Sequence, residues 1–127
     1  MSGPARLIVA DDSREMRWLI RSTLRPWSSQ IVEAADGREL FWELLRCSRA
    51  YAERDVLVVT DICMPVYSGL DVLEVYDELG YHPSTVVVTS FPAERTQTLV
   101  ARMGGILIPK PFTTSALRHV VEHVWRA

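Results

Sequence analysis

The sequence predicts an α/β domain of the doubly wound kind, a five-stranded parallel sheet covered by five helices. Three observations point there. Short runs rich in β-branched residues alternate with longer segments whose apolar residues recur at helical spacing. The short runs are apolar almost throughout, the mark of strands buried on both faces. The 127 residues are the size of one domain with one core, so residues 1–127 are expected to form a single unit.

The elements follow in order. Arg6 to Ala10 (RLIVA) reads as the first strand, and Met16, Leu19, Ile20 and Leu24 mark the apolar face of the first helix. Gln30 to Ala34 (QIVEA) reads as the second strand, followed by a helix carrying Leu40, Phe41, Leu44 and Leu45. Val56 to Thr60 (VLVVT) is the third strand, and Leu70, Leu73, Val75 and Tyr76 belong to the third helix. Thr85 to Thr89 (TVVVT) is the fourth strand, with Leu99, Val100 and Met103 on the helix after it. Gly105 to Ile108 (GILI) is the fifth strand, and a last helix from about Thr114 to Trp125 uses Leu117, Val120, Val121 and Val124. Strand and helix alternate throughout with short loops, which requires right-handed crossovers and a parallel sheet.

Composition excludes several functions. Apolar residues make up 48% and charged residues 24%, a globular balance rather than a disordered one. The net charge is -2 and no local basic patch offsets it, which argues against direct nucleic-acid binding. The longest apolar runs are far shorter than the roughly 20 residues needed to cross a bilayer, and the first residues lack a signal-peptide pattern. A cytoplasmic protein without a membrane segment is expected. Cys47 and Cys63 form neither a CxxC pair nor a secreted-type framework, so two free thiols are expected. His119 and His123 are four apart on a predicted helix, but no third ligand accompanies them, and they read as a solvated face.

In doubly wound sheets ligands bind beyond the carboxyl ends of the strands. Those ends carry Asp11 and Asp12, Asp61, Thr89 and Ser90, and Lys110. Each has a plain alternative: a helix cap, a β-former, a surface lysine. Together they gather three carboxylates, a hydroxyl and an ammonium. Three carboxylates so close repel one another unless a cation intervenes. Oxygen-only ligands suit Mg²⁺, which keeps part of its water shell and also binds phosphate, so phosphoryl chemistry is expected.

These residues resemble the receiver domain of two-component response regulators over essentially the whole chain. The segments that carry the resemblance are ADD at 10–12, DICMPVYSG at 61–69, VVVTS at 86–90 and PKPF at 109–112. The resemblance implies the flavodoxin-like strand order 2-1-3-4-5, Asp61 as phosphate acceptor, and Asp11 and Asp12 as metal-site acids. It implies that Asp61 and the main-chain carbonyl of Cys63 complete the protein ligands to Mg²⁺. Thr89 and Lys110 then contact the phosphoryl group. The implied partners are a sensor histidine kinase or a histidine phosphotransfer protein, within a two-component system or phosphorelay. Output is expected through the face of the fourth helix, fifth strand and fifth helix, to a protein target or a second copy. Self-phosphorylation and self-dephosphorylation are the only reactions implied, not those of a true enzyme. The alternative is a phosphorylation-independent interaction module, which the intact set of five residues disfavours.

Some positions depart from the family pattern. Leu107 stands where a switching aromatic is usual, and Ser90 where a small alanine is common. Cys63 and Phe91 flank the expected path of an attacking water and position it poorly, so slow phosphate loss is expected. The Lys110-Pro111 bond is expected to be cis, as is the rule in the family. Pro109 removes an amide donor, which an edge strand tolerates.

Overall fold

Unbroken β-branched runs form strands here because their side chains find apolar partners on both sides of one sheet. In the computed structural model, which describes residues 3–28 and 30–126, the elements run β1 (Arg6–Ala10), α1 (Arg14–Leu24), β2 (Ile31–Ala34), α2 (Gly37–Ala50), a 3₁₀ turn (Glu53–Asp55), β3 (Val56–Asp61), α3 (Gly69–Glu78), β4 (Ser84–Thr89), α4 (Glu94–Arg102), β5 (Ile106–Pro109) and α5 (Thr114–Arg126). All five strands are parallel, in the order β2-β1-β3-β4-β5. The predicted fold class and strand order are those observed.

Alternation along the strands divides the core in two. Leu7, Val9, Leu57, Val59, Val86 and Val88 face α1 and α5, where Ile20, Leu24, Leu117 and Val121 close the layer. Ile8, Ala10, Val56 and Val58 face α2 and α3, against Leu40, Leu44, Val72 and Tyr76. Leu73, Val87 and Val100 form a small third cluster. Truncating a fully buried leucine such as Leu57 to alanine costs about 2–5 kcal/mol, so the sheet is a stiff platform.

Two details differ from the sequence reading. On α3 the inward residues are Val72, Leu73 and Tyr76, while Val75 is 39% exposed, because the buried stripe follows i, i+1 and i+4. Met103 lies just past the end of α4, which has only three buried residues. Both cysteines are free thiols, as expected: Cys63 is exposed, and burial pushes the Cys47 thiol up to about 11. Among the described residues no helix is long and apolar enough to cross a membrane.

From β1 the chain turns outward to β2 and then crosses back to β3 on the other side. The crevice at this reversal opens at the carboxyl ends of β1 and β3.

Candidate functional site: an acidic pocket bridged by one lysine

Asp11 directly follows β1, and its amide still bonds the Ala34 carbonyl of β2 at 3.0 Å. Its carboxylate is fully buried. Oδ1 accepts from the Ser13 amide at 2.9 Å, and Oδ2 accepts from the Lys110 ammonium at 2.8 Å. Burial pushes the Asp11 carboxyl above the ordinary carboxylate value, and the nearby Asp61 charge adds to this, although Lys110 and the Ser13 amide pull it back. Ser13 caps α1 through its hydroxyl, which accepts from the Met16 amide at 3.2 Å. Asp12 is therefore free of capping. It is exposed, and among the described residues its carboxylate takes part in no hydrogen bond.

Asp61 is the last residue of β3, so the strand reaches one residue further than its apolar run. Its Oδ1 accepts from the amides of Ile62 at 2.6 Å and Cys63 at 3.2 Å, and its Oδ2 accepts from Lys110 at 3.0 Å. Both oxygens are thus held by donors, which fixes the plane of the carboxylate. The loop beyond it depends on two glycines. A Cβ on Gly69 would lie 2.1 Å from the Asp61 carbonyl oxygen, and the Gly69 amide bonds the Ile62 carbonyl at 2.8 Å. A Cβ on Gly37, at the start of α2, would lie 1.9 Å from the Tyr67 carbonyl oxygen, and the Gly37 amide bonds Pro65 at 3.2 Å. Gly37, which acts across 30 residues of chain, is not among the positions singled out from the sequence. Between them Val66 has φ 72°, with the Tyr67 amide bonded to the Pro65 carbonyl at 2.9 Å. This is a γ-turn centred on a β-branched residue, a strained arrangement that costs on the order of 1–3 kcal/mol.

Lys110 follows β5, and the Lys110-Pro111 bond is cis. The Lys110 amide bonds the Thr89 carbonyl at 2.8 Å, which anchors it to β4. Its side chain spans from β5 to the ends of β1 and β3. Burial works against the charge, but the hydrogen bonds to Asp11 and Asp61 outweigh it and hold the ammonium above the ordinary lysine value. Thr89 is buried at the end of β4, one residue beyond Val88, the register partner of Asp61. Its hydroxyl oxygen accepts from the Phe91 amide at 3.1 Å, which leaves the O–H proton available.

The structure therefore brings Asp11, Asp61 and Lys110 into direct contact. It places Asp12 beside them, since Asp11, Asp12 and Asp61 each offer a carboxylate oxygen within 4.8 Å of the others. Thr89 stands at the neighbouring strand end. Three carboxylates face one ammonium, so two formal negative charges are left over, the complement of a divalent cation. The donors are oxygens, and among the described residues the Cys63 carbonyl accepts no hydrogen bond. A hard cation fits this donor set.

Comparison with known proteins agrees. A family model described as the response regulator receiver domain matches residues 7–122. A chemotaxis protein CheY homolog of Campylobacter jejuni is 32% identical over 124 residues, which cover 94% of this chain and 91% of that protein. Chemotaxis protein CheY1 of Helicobacter pylori is 32% identical over 123 residues, covering 94% and 95%. A solved receiver-domain structure from Clostridium thermocellum has a TM-score of 0.78 at 20% identity, covering 96% of this chain and 94% of that one, a likeness of fold.

Proposed function

The chain belongs to the response regulator receiver domain family, and from that premise we propose that residues 1–127 act as one phosphoryl-accepting switch with Asp61 as the acceptor. The observation that carries this reading is the Lys110 ammonium shared between Asp11 and Asp61 at 2.8 and 3.0 Å, with Asp12 alongside.

The chemistry follows from the residues. An Asp61 carboxylate oxygen attacks the phosphorus of a phosphohistidine on a sensor histidine kinase or a histidine phosphotransfer protein. A new O–P bond forms, the N–P bond breaks, and the imidazole leaves with the electron pair and takes up a proton. Lys110 neutralises charge on the transferring group. Asp11, Asp12, Asp61 and the Cys63 carbonyl would hold Mg²⁺, which supplies further charge neutralisation. Thr89 donates its free O–H to a phosphoryl oxygen, drawing the segment after β4 inward. That contact exists in only one of two arrangements, which is what makes it a switch. The output surface is the face of α4, β5 and α5, taken up by a protein target or a second copy. Phe91 is 72% exposed and Cys63 is exposed, and neither orients water, which supports slow phosphate loss.

Incubation with Mg²⁺ and a small acyl phosphate tests this. One phosphoryl group is expected by mass, and none in Asp61→Asn. A modification that persists unchanged in the variant overturns the assignment.

A further inference from the structure

Arg17 takes no part in the chemistry above, yet from α1 its side chain hydrogen-bonds the backbone of the acidic pocket. It stands in the first turns of α1, where its amide bonds the Ser13 carbonyl. Helix side chains lean toward the N-terminus, so residue 17 reaches back over the loop from β1. Its Nη1 donates to the Asp11 carbonyl at 2.7 Å, and its Nε donates to Glu33 Oε1 on β2 at 3.0 Å. The Arg17 side chain is only 14% exposed. The other oxygen of Glu33 accepts from Arg21 at 2.9 Å, one helical turn further on.

The contact with the Asp11 carbonyl has no purpose in a salt bridge between α1 and β2, for which Glu33 alone suffices. Its consequence lies in the peptide joining Asp11 to Asp12. That unit is planar, so holding its oxygen sets its plane and the position of the Asp12 Cα. The Asp11 amide, bonded to Ala34, and the Asp11 carboxylate, bonded to Ser13 and Lys110, fix the residue before it. Asp12 has no such support from its own side chain. Its aim at the cluster is inherited from the backbone that Arg17 holds.

Charge sets a second requirement. A bare guanidinium this near three carboxylates would compete with a bound cation. Glu33, which Arg21 also shares, offsets part of that charge, so the arginine supplies geometry with reduced repulsion. We propose that Arg17 is a positioning residue for the cation site, orienting Asp12 through the Asp11–Asp12 peptide, with Glu33 as the carboxylate that offsets its charge. This rests on the reading of the acidic pocket as a Mg²⁺ site.

The test is a Mg²⁺ titration of the full chain, followed by the amide shifts of Asp12, Ser13 and Cys63, in wild type, Arg17→Met, Arg17→Lys and Glu33→Gln, each at low and high salt. Arg17→Met is expected to bind about tenfold more weakly, the low end for loss of an outer-shell partner, and the deficit is expected at both salt concentrations because it is geometric. Arg17→Lys, which can still reach the carbonyl, is expected to recover part of the affinity. Glu33→Gln is expected to weaken binding at low salt and to recover as salt screens the uncovered guanidinium. A purely structural role would lower thermal stability in all three variants without this split in salt dependence. If Arg17→Met does not fold, Glu33→Gln decides: wild-type affinity at low salt overturns the proposal. Wild-type or tighter binding by folded Arg17→Met overturns it as well, while normal binding by wild type leaves the functional reading standing. No Mg²⁺ binding by wild type overturns both.

Discussion

The ends of β1, β3 and β5 and the segment from Thr89 through α4 lie side by side but are built differently. At the first, Asp11 and Asp61 are buried, and every carboxylate oxygen they carry has a donor. At the second, Ser90, Phe91, Pro92, Ala93, Glu94 and Arg95 are all exposed. α4 buries only Thr96, Leu99 and Val100, and its N-cap, Ala93, offers no side-chain acceptor. Ser13, Asp36 and Ser68 cap α1, α2 and α3 in the ordinary way. The contrast teaches a division of labour. The proposed chemistry needs fixed oxygens and falls on a sheet end where each has a donor, while the element proposed to move is a largely exposed one whose helix starts without a side-chain cap. Thr89 joins them, buried with the first and bonded to Phe91 of the second.

The largest effect is expected on the rigid side. Lys110→Met removes the one cation held by both carboxylates, and phosphoryl uptake from an acyl phosphate is expected to fall about 10²–10³-fold, as read by the rate of mass increase. The same variant tests linkage. The Lys110 value is raised in the fold, so its stabilisation is complete below the ordinary lysine value and is lost as pH climbs through the raised one. On the alkaline side, the stability gap between wild type and variant should therefore close only above the ordinary lysine range.

Metal comes next. At a hundred times its dissociation constant, Mg²⁺ is expected to stabilise the fold by about 2.7 kcal/mol, raising the melting temperature by roughly 10 °C for a domain of this size. A chelator should reverse it. Amide-exchange protection is expected at 11–13 and 61–69 and not in α4, and protection spreading through 94–102 would break the division drawn above.

Much of the rigid side was legible in the sequence, because unbroken apolar runs specify buried strands and the polar residues that end them have few other reasons to be there. Asp11, Asp12, Asp61, Thr89 and Lys110 came from that logic, with the family resemblance assigning their roles. What stayed hidden depends on contacts between distant segments. Gly37 is required by the Tyr67 carbonyl, and Arg17 meets a carbonyl six residues back and a carboxylate on another strand. No local pattern announces either. The strained Val66 was equally silent, since valine is among the last residues expected at positive φ. Helix faces were read well except on α3, where Val75 took a place that belongs to Val72.

On the exposed side, Ala93→Asp supplies the missing cap. Ala93 already has the extended backbone of an N-cap, with φ -63° and ψ 151°, so a carboxylate there can accept the amide of Thr96 without strain. A gain of about 1 kcal/mol is expected in chemical denaturation. If looseness of α4 is what phosphorylation exploits, the variant should take up phosphate normally while its exchange in 90–102 responds less. An undiminished response would show that motion there does not begin at the N-terminus of the helix.

The smallest effect is expected where α4 is tied sideways to α3. Arg95 bonds Glu74 at 3.0 Å, and Arg102 bonds Asp77 at 2.7 Å, all at the surface. Asp77 is also held by His82 at 2.7 Å, and that hydrogen bond first, then Arg102, lowers its carboxyl below the ordinary value. A lowered carboxyl contributes stability above its unfolded value and loses it as pH falls through the folded one. Arg102→Ala should therefore be slightly less stable than wild type at neutral pH, with the difference vanishing in acid. Surface pairs contribute little to global stability, so the informative readout is local. With its lateral tie cut, the last turn of α4 should exchange its amides faster while the amides of β3 do not change. Equal acceleration in both would mean that α4 opens only when the whole domain does, and the two regions would then be one cooperative unit rather than a fixed site beside a movable one.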